Sequence, residues 1–299
     1  MARTIRTRRI AFDYPDEELP RHFMGGDLVM SHVVAVLSAM FPNGEDFFVR
    51  SVRGFRDEIT DPELRQQVAG FIGQEAMHGR EHRTFNERLA QLGYPTLQID
   101  RLVDRSLRLR ERLLSKKNNL ALTAALEHYT ATLAEVLLVD PKAREMMSVD
   151  EVRAMFVWHA LEESEHKAVA FDVYEAVGGT HRMRALVMNI TTVLFIGLVV
   201  FGTFWSLLHD RAAYNPRTLW SSLRKLRHSP WVNREIARHL RDYNRRGFHP
   251  DDRDSSALTD QWRNELFGAE GILADRLSVG AAAIGRSELP PGPDHRPIP

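Results

Sequence analysis

Two Glu-x-x-His motifs bring a carboxylate and an imidazole to the same spacing at two places in this 299-residue sequence. The first is EAMH at 75–78 and the second is ESEH at 163–166, so the motifs begin 88 residues apart (163 minus 75). Residues three positions apart on an α-helix lie one turn apart on the same face. Each motif can therefore present both groups to one metal ion, and the interval leaves room for two intervening helices.

Two single glutamates complete a set of six candidate ligands. Helical bundles with two carboxylate-bridged metal ions take one Glu from each of two helices and a Glu-x-x-His motif from each of two others. Glu45 precedes the first motif in FPNGEDFF, and Glu127 lies between the motifs in the largely apolar stretch LTAALEHYTATLAEV. A buried ionised Glu is costly unless a positive charge compensates it. The sequence thus predicts two metal ions with the four glutamates as catalytic groups, the ligands being Glu45, Glu75, His78, Glu127, Glu163 and His166.

Two further histidines lie on the same helix faces as the motifs. His159 precedes Glu163 by four residues and His166 by seven, which predicts a seventh metal ligand. His82 follows His78 by four residues. Its spacing fits either a metal ligand or a residue that hydrogen-bonds a ligand from behind.

Glu162 competes with Glu163 for the position in the second motif. It lies three residues after His159 and four before His166, so it can share a helix face with both histidines. The Glu-x-x-His spacing favours Glu163, and Glu162 stays as the alternative.

The stretch HGREH at 78–82 also matches the His-x-x-Glu-His pattern of a class of zinc enzymes. That interpretation leaves Glu75, Glu127, Glu163 and His166 without a role. We therefore rank it below the dinuclear centre.

The segments FPNGEDFFVRSVR, QEAMHGREH and WHALEESEHKAVAFDVY resemble a bacterial family catalogued as predicted metal-dependent hydrolases, over roughly residues 20–250. The helical core of that family is similar to the ferritin-like di-iron carboxylate proteins. The arrangement of His159, Glu163 and His166 is also similar to that in the di-iron arylamine N-oxygenases, which carry one extra histidine ligand. The resemblance implies a ferritin-like four-helix bundle around a dinuclear centre, which these relatives use to activate O₂.

Two reactions are compatible with such a centre. A pair of metal ions can activate water for hydrolysis, and a pair of iron ions can bind and reduce O₂. Glu and His ligands suit iron, and also manganese or zinc. Because these ligands are expected between helices, we expect two iron ions and oxidation or oxygenation of a hydrophobic, lipid-like small molecule by O₂. A metal-dependent hydrolase that uses a metal-bound hydroxide is the alternative, and a non-catalytic metal-binding or scaffold protein is the second alternative.

Helices must position these residues, because the chain has the hydrophobic periodicity of α-helices and few strand patterns. Pro42-Asn43-Gly44 is expected to break or kink the first helical run, while Asp61 and Asp150 are expected to be N-caps. The expected helices cover 27–40, 45–58, 61–93, 97–116, 118–139, a short helix from 141, and 150–177. We predict an all-α protein with a ferritin-like four-helix bundle, an added long apolar helix and Arg-rich C-terminal helices.

The chain divides into four parts on this basis. A basic N-terminal arm covers 1–20, and the metal-binding bundle covers 21–180. The apolar helix and the Arg-rich helices cover 181–250 and pack on the bundle or extend it. A C-terminal extension with a disordered Pro-rich tail covers 251–299.

The segment 185–208 is a run of 24 residues without a charge, longer than the roughly 20 that a membrane span requires. Residues 211–249, which follow, hold nine Arg and one Lys against Glu235 and Asp242. A single span would place this basic region in the cytoplasm and the metal bundle outside it. We therefore expect peripheral attachment to the inner face of a membrane, with a homodimer interface or a core helix as alternatives.

Composition excludes several other classes of function. The 40 basic and 40 acidic residues balance, so nothing indicates a nucleic-acid partner. The absence of cysteine excludes disulfides, zinc–thiolate sites and thiol nucleophiles. The basic N-terminus is not followed by the apolar stretch of a secretory signal, and we therefore expect a cytoplasmic protein.

Overall fold

The computed structural model describes residues 5–15 and 19–277, and no strand occurs among them. The helices are α1 Leu28–Arg53, α2 Pro62–Gln91, α3 Thr96–Leu113, α4 Lys116–Val139, α5 Pro141–Glu145, α6 Asp150–His166, α7 Val169–Ala176, α8 His181–Leu207, α9 Pro216–Leu226, α10 Arg234–Asp242 and α11 Ser256–Phe267. The prediction of an all-α bundle is confirmed.

Four helices form the central bundle. α1 packs against α2, α4 packs against α6, and the two pairs meet through contacts of α1 with α4 and of α2 with α6. Phe47, Phe71, Phe85 and Trp158 are fully buried between helices. Burial of each such side chain stabilises the fold by about 1.5–3 kcal/mol, so the four helices are a rigid frame for the residues they carry.

The helix ends follow the expected capping chemistry with one exception. The Asp61 side chain accepts a hydrogen bond from a backbone N–H of the first turn of α2, and Pro62 is the first helical residue. Beyond the other end, Gly93 adopts φ of +90°, a conformation that glycine allows at little cost. The expected N-cap at Asp150 is wrong, because Asp150 is the first helical residue and Val149 is the cap.

The first helix is continuous through Pro42, so the expected break there is wrong. Proline has no N–H, and the carbonyl of Ser38 four residues earlier therefore lacks its helical donor. The side chain of Asn86 on α2 replaces that donor, with Nδ2 lying 2.9 Å from Ser38 O. Glu45 consequently belongs to the long helix α1 and lies three residues beyond the proline.

The helix that carries the second motif is shorter than expected. α6 ends at His166, and a turn at Lys167 and Ala168 separates it from α7. No proline or glycine marks this turn. α11 lies in the C-terminal extension, where no helix was predicted, and packs on α6 and α4. The predicted Pro-rich tail falls mostly on 278–299, outside the described residues.

α8 is the predicted long apolar helix, and it lies on the outside of the bundle. One side packs against α1 and α4, and Gly202 permits close contact with Val36. Among the described helices, α8 alone is long and apolar enough to cross a membrane, and 22% of its most apolar stretch is buried. A central core helix does not fit that exposure.

The N-terminal segment 5–15 lies across α2, with its apolar side chains buried. Two glycines of α2 make room for it. A methyl group at Gly70 would overlap the backbone of Ile5, and one at Gly73 would overlap the hydroxyl of Thr7. This close approach places Arg8 next to α6.

Candidate metal centre

The six predicted ligands and His159 meet at the centre of the bundle, and each is 4% exposed or less. α1, α2, α4 and α6 all contribute. The residues form three overlapping groups whose ligand atoms lie within 4.8 Å of one another: Glu45, His78 and His159; Glu75, His78 and Glu163; Glu75, Glu127 and His166. Both Glu-x-x-His motifs therefore converge on one place.

Two glutamates lie between the ends of the cluster. Glu163 Oε1 is 2.9 Å from His159 Nε2 and 3.6 Å from both His78 Nδ1 and His166 Nε2. Glu75 Oε1 is 3.0 Å from His166 Nε2, and its Oε2 is 3.9 Å from His78 Nδ1. Each of these carboxylates thus reaches both ends.

One single glutamate lies at each end. Glu127 Oε2 is 3.3 Å from His166 Nε2, and Glu45 Oε1 is 3.8 Å from His159 Nε2. Gly79 permits the position of Glu45, because a Cβ at residue 79 would lie 3.2 Å from Glu45 Oε2. The two ends have similar donor sets, but His159 gives one of them an additional imidazole.

The atoms that face each other have no hydrogen-bond partner in the described part of the chain. Buried polar atoms are normally paired, and an unpaired one costs about 1–3 kcal/mol. The unpaired atoms here are both carboxylate oxygens of Glu45, Glu75 and Glu127, Oε2 of Glu163, Nδ1 of His78 and Nε2 of His166. These are oxygen and imidazole donors, which suit iron, manganese or zinc.

Hydrogen bonds from behind orient the histidines of both motifs. His78 Nε2 lies 3.0 Å from Glu162 Oε2, and His166 Nδ1 lies 2.9 Å from Gln74 Oε1. Each bond uses the ring nitrogen that points away from the centre and leaves the other nitrogen available as a ligand. Glu162 therefore lies behind His78 and does not face the cluster.

A chain of hydrogen bonds sets the tautomer of His159. Ser38 Oγ donates to Asn86 Oδ1 at 2.8 Å, so it accepts from His82 Nδ1, also at 2.8 Å. His82 Nε2 is then an acceptor for His159 Nδ1–H at 2.8 Å. His159 Nε2 then carries the lone pair and faces Glu163 Oε1 in the cluster, and His82 lies behind His159.

Arg8 was not among the predicted site residues, although it connects to both motifs. Its Nη1 lies 2.8 Å from Glu162 Oε1, and its two terminal nitrogens contact Glu165 at 2.7 and 2.8 Å. Gln74 Nε2 donates to Glu165 Oε2 at 2.9 Å. The one available sequence signal was the spacing of the glycines at 70 and 73, which permits the N-terminal segment to approach α2.

The carboxylates of the cluster have histidines beside them but, among the described residues, no Lys or Arg to compensate their charge. Burial raises the pKa of Glu45, of Glu75 and of Glu127, the last to about 7, and neighbouring carboxylates add to the effect. Burial alone would lower the pKa of His166, but Glu163 and Glu127 raise it well above its usual range. No Lys or Arg of the described residues forms an ion pair with these four glutamates. Two divalent cations would supply the missing positive charge.

A chamber of about 1000 Å³ adjoins the cluster. Mainly apolar side chains of α1, α3, α4, α6 and α8 line it, and Glu45, His159 and Glu163 form part of its wall. Exposed residues such as Leu186 and Val193 of α8 also line it, so the chamber opens to the surface there. Such a lining favours a hydrophobic ligand.

The comparisons with known proteins give a family but no individual relative. No curated protein and no solved structure matches the chain. A family model described as "Predicted metal-dependent hydrolase" matches residues 6–254, a range that contains every residue of the cluster. Its description agrees with hydrolysis, the alternative in the sequence analysis, and lends no support to the preferred oxidation by O₂. The resemblance inferred from the motifs is confirmed, and the chain belongs to the family of predicted metal-dependent hydrolases.

Proposed function

We propose that the chain is a dinuclear metal enzyme that acts on a hydrophobic small molecule. The observation that carries this proposal is the group of unpaired, buried Glu and His atoms from four helices at the wall of an apolar chamber. Buried carboxylates without positive charge would destabilise the fold. Bound metal ions would compensate these carboxylates, and the chamber beside them offers space for a substrate.

The ligand groups support a division of the residues between two ions. Glu45, His78 and His159 would hold one ion, and Glu127 and His166 would hold the other. Glu75 and Glu163, which reach both ends, would bridge the ions. Glu162 and His82 would orient the ligand imidazoles without binding metal.

Hydrolysis is the reaction that we put first, because the family description names it. When bound, two neighbouring metal ions polarise a carbonyl or phosphoryl oxygen and lower the pKa of water. The chain itself supplies the position of the reacting group, since Glu45, His159 and Glu163 are the part of the centre that faces the chamber. The apolar lining binds the rest of the substrate and excludes bulk water.

Oxidation by O₂ is the second candidate, and the ligand set favours it. Four glutamates and two histidines buried between four helices are the donor set of ferritin-like di-iron bundles, and His159 adds a third histidine here. On this reading the two ions are iron.

Turnover by the protein loaded separately with Fe, Mn or Zn distinguishes the two reactions. For hydrolysis, we expect release of p-nitrophenolate from a long-chain ester, and a loss of at least about 100-fold in Glu127→Gln relative to Glu87→Gln, an exposed residue of α2. Substrate-dependent O₂ uptake by the reduced iron form, without ester cleavage, would establish oxidation instead. Metal-loaded protein without either activity on esters, alcohols or amines of this length would contradict an enzymatic function.

A further inference from the structure

The chamber carries a second charged group besides the metal centre. Apart from Glu45, His159 and Glu163, the charged residue of its lining is Arg110, in the last turn of α3. Its neighbours in the lining include Leu107 and Leu114, which are apolar. A guanidinium therefore lies in a wall that is otherwise suited to hydrocarbon.

Arg110 has only neutral partners among the described residues. Its Nη2 donates to Asn118 Oδ1 and, at 3.4 Å, to Asn118 O. Its Nε is buried and has no hydrogen-bond partner, and no carboxylate of the described chain forms an ion pair with it. Burial lowers its pKa, but an arginine stays charged at neutral pH. A half-buried cation with a free donor is costly unless a ligand completes it.

We propose that the chamber binds a long-chain carboxylate or a related anionic amphiphile, with the anionic head group on Arg110. A guanidinium and a carboxylate form charge-assisted hydrogen bonds, and Nη1, which makes no hydrogen bond to a described residue, is the donor available to the head group. The alkyl chain then occupies the apolar chamber, whose lining also includes Glu45, His159 and Glu163 of the metal centre. This inference rests on the proposed function, because it assumes that the chamber holds the substrate.

Binding of hexadecanoate and of hexadecan-1-ol to the full chain, measured by displacement of a fluorescent apolar probe, tests the proposal. The two ligands share a chain and differ in charge. We expect the wild type to prefer hexadecanoate by about 10- to 100-fold, as for a hydrogen bond to a charged group. Arg110→Gln should lose this preference and keep the affinity for the alcohol, and Arg110→Lys should keep part of it. Arg112→Gln, an exposed position on the same helix, is the matched control.

Three results would overturn the proposal. The first is equal affinity of the wild type for the acid and the alcohol, and the second is a preference that survives in Arg110→Gln. The third is a preference that disappears only when a chelator removes the metal, which would place the carboxylate on the metal centre. Because ligand binding and metal content are measured separately, failure here is distinguishable from failure of the dinuclear centre.

An independent observation concerns the outer face of α8. The apolar side chains on this stripe recur at intervals of mostly three, four or seven residues and are between 47% and 72% exposed: Leu186, Ile190, Val193, Leu194, Phe201 and Phe204. A helix of 27 residues is about 40 Å long. The opposite side of α8 packs against α1 and α4, so the exposed stripe runs along the surface of the folded bundle.

Basic and aromatic residues follow this stripe in the chain. α9 exposes Arg217, Trp220 and Arg224, and its C-cap residue Arg227 is also exposed. The intervals of three or four residues place all four on one side of the helix. None of these arginines forms an ion pair with another described residue. Both α8 and α9 pack against α1. An apolar stripe combined with tryptophan and unpaired arginine is typical of surfaces that bind the interface of an anionic membrane.

We infer that the α8 stripe and α9 dock onto the surface of an anionic lipid bilayer. Leu186, Ile190, Val193 and Leu194 belong to the stripe and to the chamber lining alike. The chamber therefore opens on the docking surface, and a hydrophobic substrate would enter it from the lipid. Pairing with a second copy is less favourable, because two identical cationic surfaces would repel each other.

Co-sedimentation with vesicles tests this surface. The full chain should bind vesicles of phosphatidylcholine with 30% phosphatidylglycerol (about a third anionic lipid) at least about tenfold more tightly than phosphatidylcholine alone. Val193→Asp with Phe201→Asp should abolish binding, and Arg217→Gln with Arg224→Gln and Arg227→Gln should remove the preference for anionic lipid. Arg9→Gln with Arg53→Gln and Arg56→Gln, all exposed elsewhere, is the matched charge control. A lipid-free dimer that Val193→Asp dissociates, without vesicle binding by the wild type, would assign the face to a second copy and overturn the inference.

Discussion

At the scale of single residues, Arg8 supports both Glu-x-x-His motifs although it lies far from them in the sequence. It holds Glu162 and Glu165, and through them it fixes one imidazole of each Glu-x-x-His motif. Loss of such an outer contact typically weakens metal binding by 10- to 100-fold. We expect Arg8→Gln to weaken metal affinity by about that factor, measured by competition with a chelator.

Two comparisons separate this effect from general destabilisation. Arg8→Lys keeps the charge and should recover part of the affinity, and Arg9→Gln, at an exposed neighbouring position, should retain all of it. Equal metal affinity of Arg8→Gln and the wild type, with the helical circular dichroism signal intact, would rule out a role for Arg8 in the centre.

The cluster residues could be predicted from the sequence because helical spacing alone places a Glu and a His of one motif on one face. The residues behind them could not. Glu162 and His82 share the spacing of ligands, and only the contacts to His78 and His159 distinguish their roles. Arg8 lies 154 and 157 residues from Glu162 and Glu165 in the sequence. No local sequence pattern predicts a contact over such a distance along the chain.

At the scale of elements, the glycines of α2 decide where the N-terminal segment lies. In Gly73→Ala the new methyl group would overlap the Thr7 hydroxyl. We expect it to displace the segment and reduce metal affinity, as Arg8→Gln does, and to destabilise the fold in urea. Helix propensity by itself predicts the opposite, a rise in the free energy of unfolding of up to about 1 kcal/mol, because alanine favours a helix more than glycine does.

Gly197→Ala on α8 is the control, because a methyl group there meets nothing within 4 Å. Its free energy of unfolding should rise by up to about 1 kcal/mol, as for a glycine replaced in an exposed helix. If Gly73→Ala behaves like Gly197→Ala in both stability and metal affinity, the packing of the N-terminal segment does not support the centre.

Most elements follow from patterns along the chain, but the continuity of α1 through Pro42 and the end of α6 at His166 do not. The prediction of a break at Pro42 was sound for an isolated helix, and it failed because Asn86 of a different helix satisfies the free carbonyl of Ser38. The turn at Lys167 and Ala168 has no sequence signal of its own. The predicted cap at Asp61 is local and holds in the structure.

At the scale of the whole molecule, buried histidines outside the centre couple folding to pH. Burial lowers the pKa of His128, a residue of α4 that packs against α10, to about 3 and that of His32 to about 4. In the unfolded chain both titrate near 6.5. The unfolded state therefore binds more protons below pH 6.5, and the stability that each neutral histidine contributes is present above pH 6.5 and is lost as the pH falls toward the folded pKa.

We expect the free energy of unfolding to drop between pH 7 and pH 5, and His128→Gln to reduce that drop by about 2 kcal/mol. Urea titrations at the two pH values, with a chelator present throughout, measure the difference without a contribution from metal release. An identical drop in the wild type and in His128→Gln would show that His128 is protonated as easily in the folded protein as in the unfolded chain.

The chamber is the part of the molecule that the sequence could not predict. Its wall combines residues from α1, α3, α4, α6 and α8. In the sequence, the apolar residues of this wall do not differ from ordinary apolar residues of a helix core or surface. The long apolar segment is recognisable in the sequence, but the sequence does not show which side of it is exposed. In the structure one side packs on α1 and α4, and most of the rest is exposed.

Metal content is the most direct test of the central claim. Protein produced in cells supplied with iron, manganese and zinc should contain about two metal ions per chain. Glu75→Ala and Glu163→Ala should each lose most of the metal and retain the helical signal, while Glu87→Ala, exposed on α2, should match the wild type. Wild-type protein without bound metal, or full metal content in both Glu75→Ala and Glu163→Ala, would contradict the account.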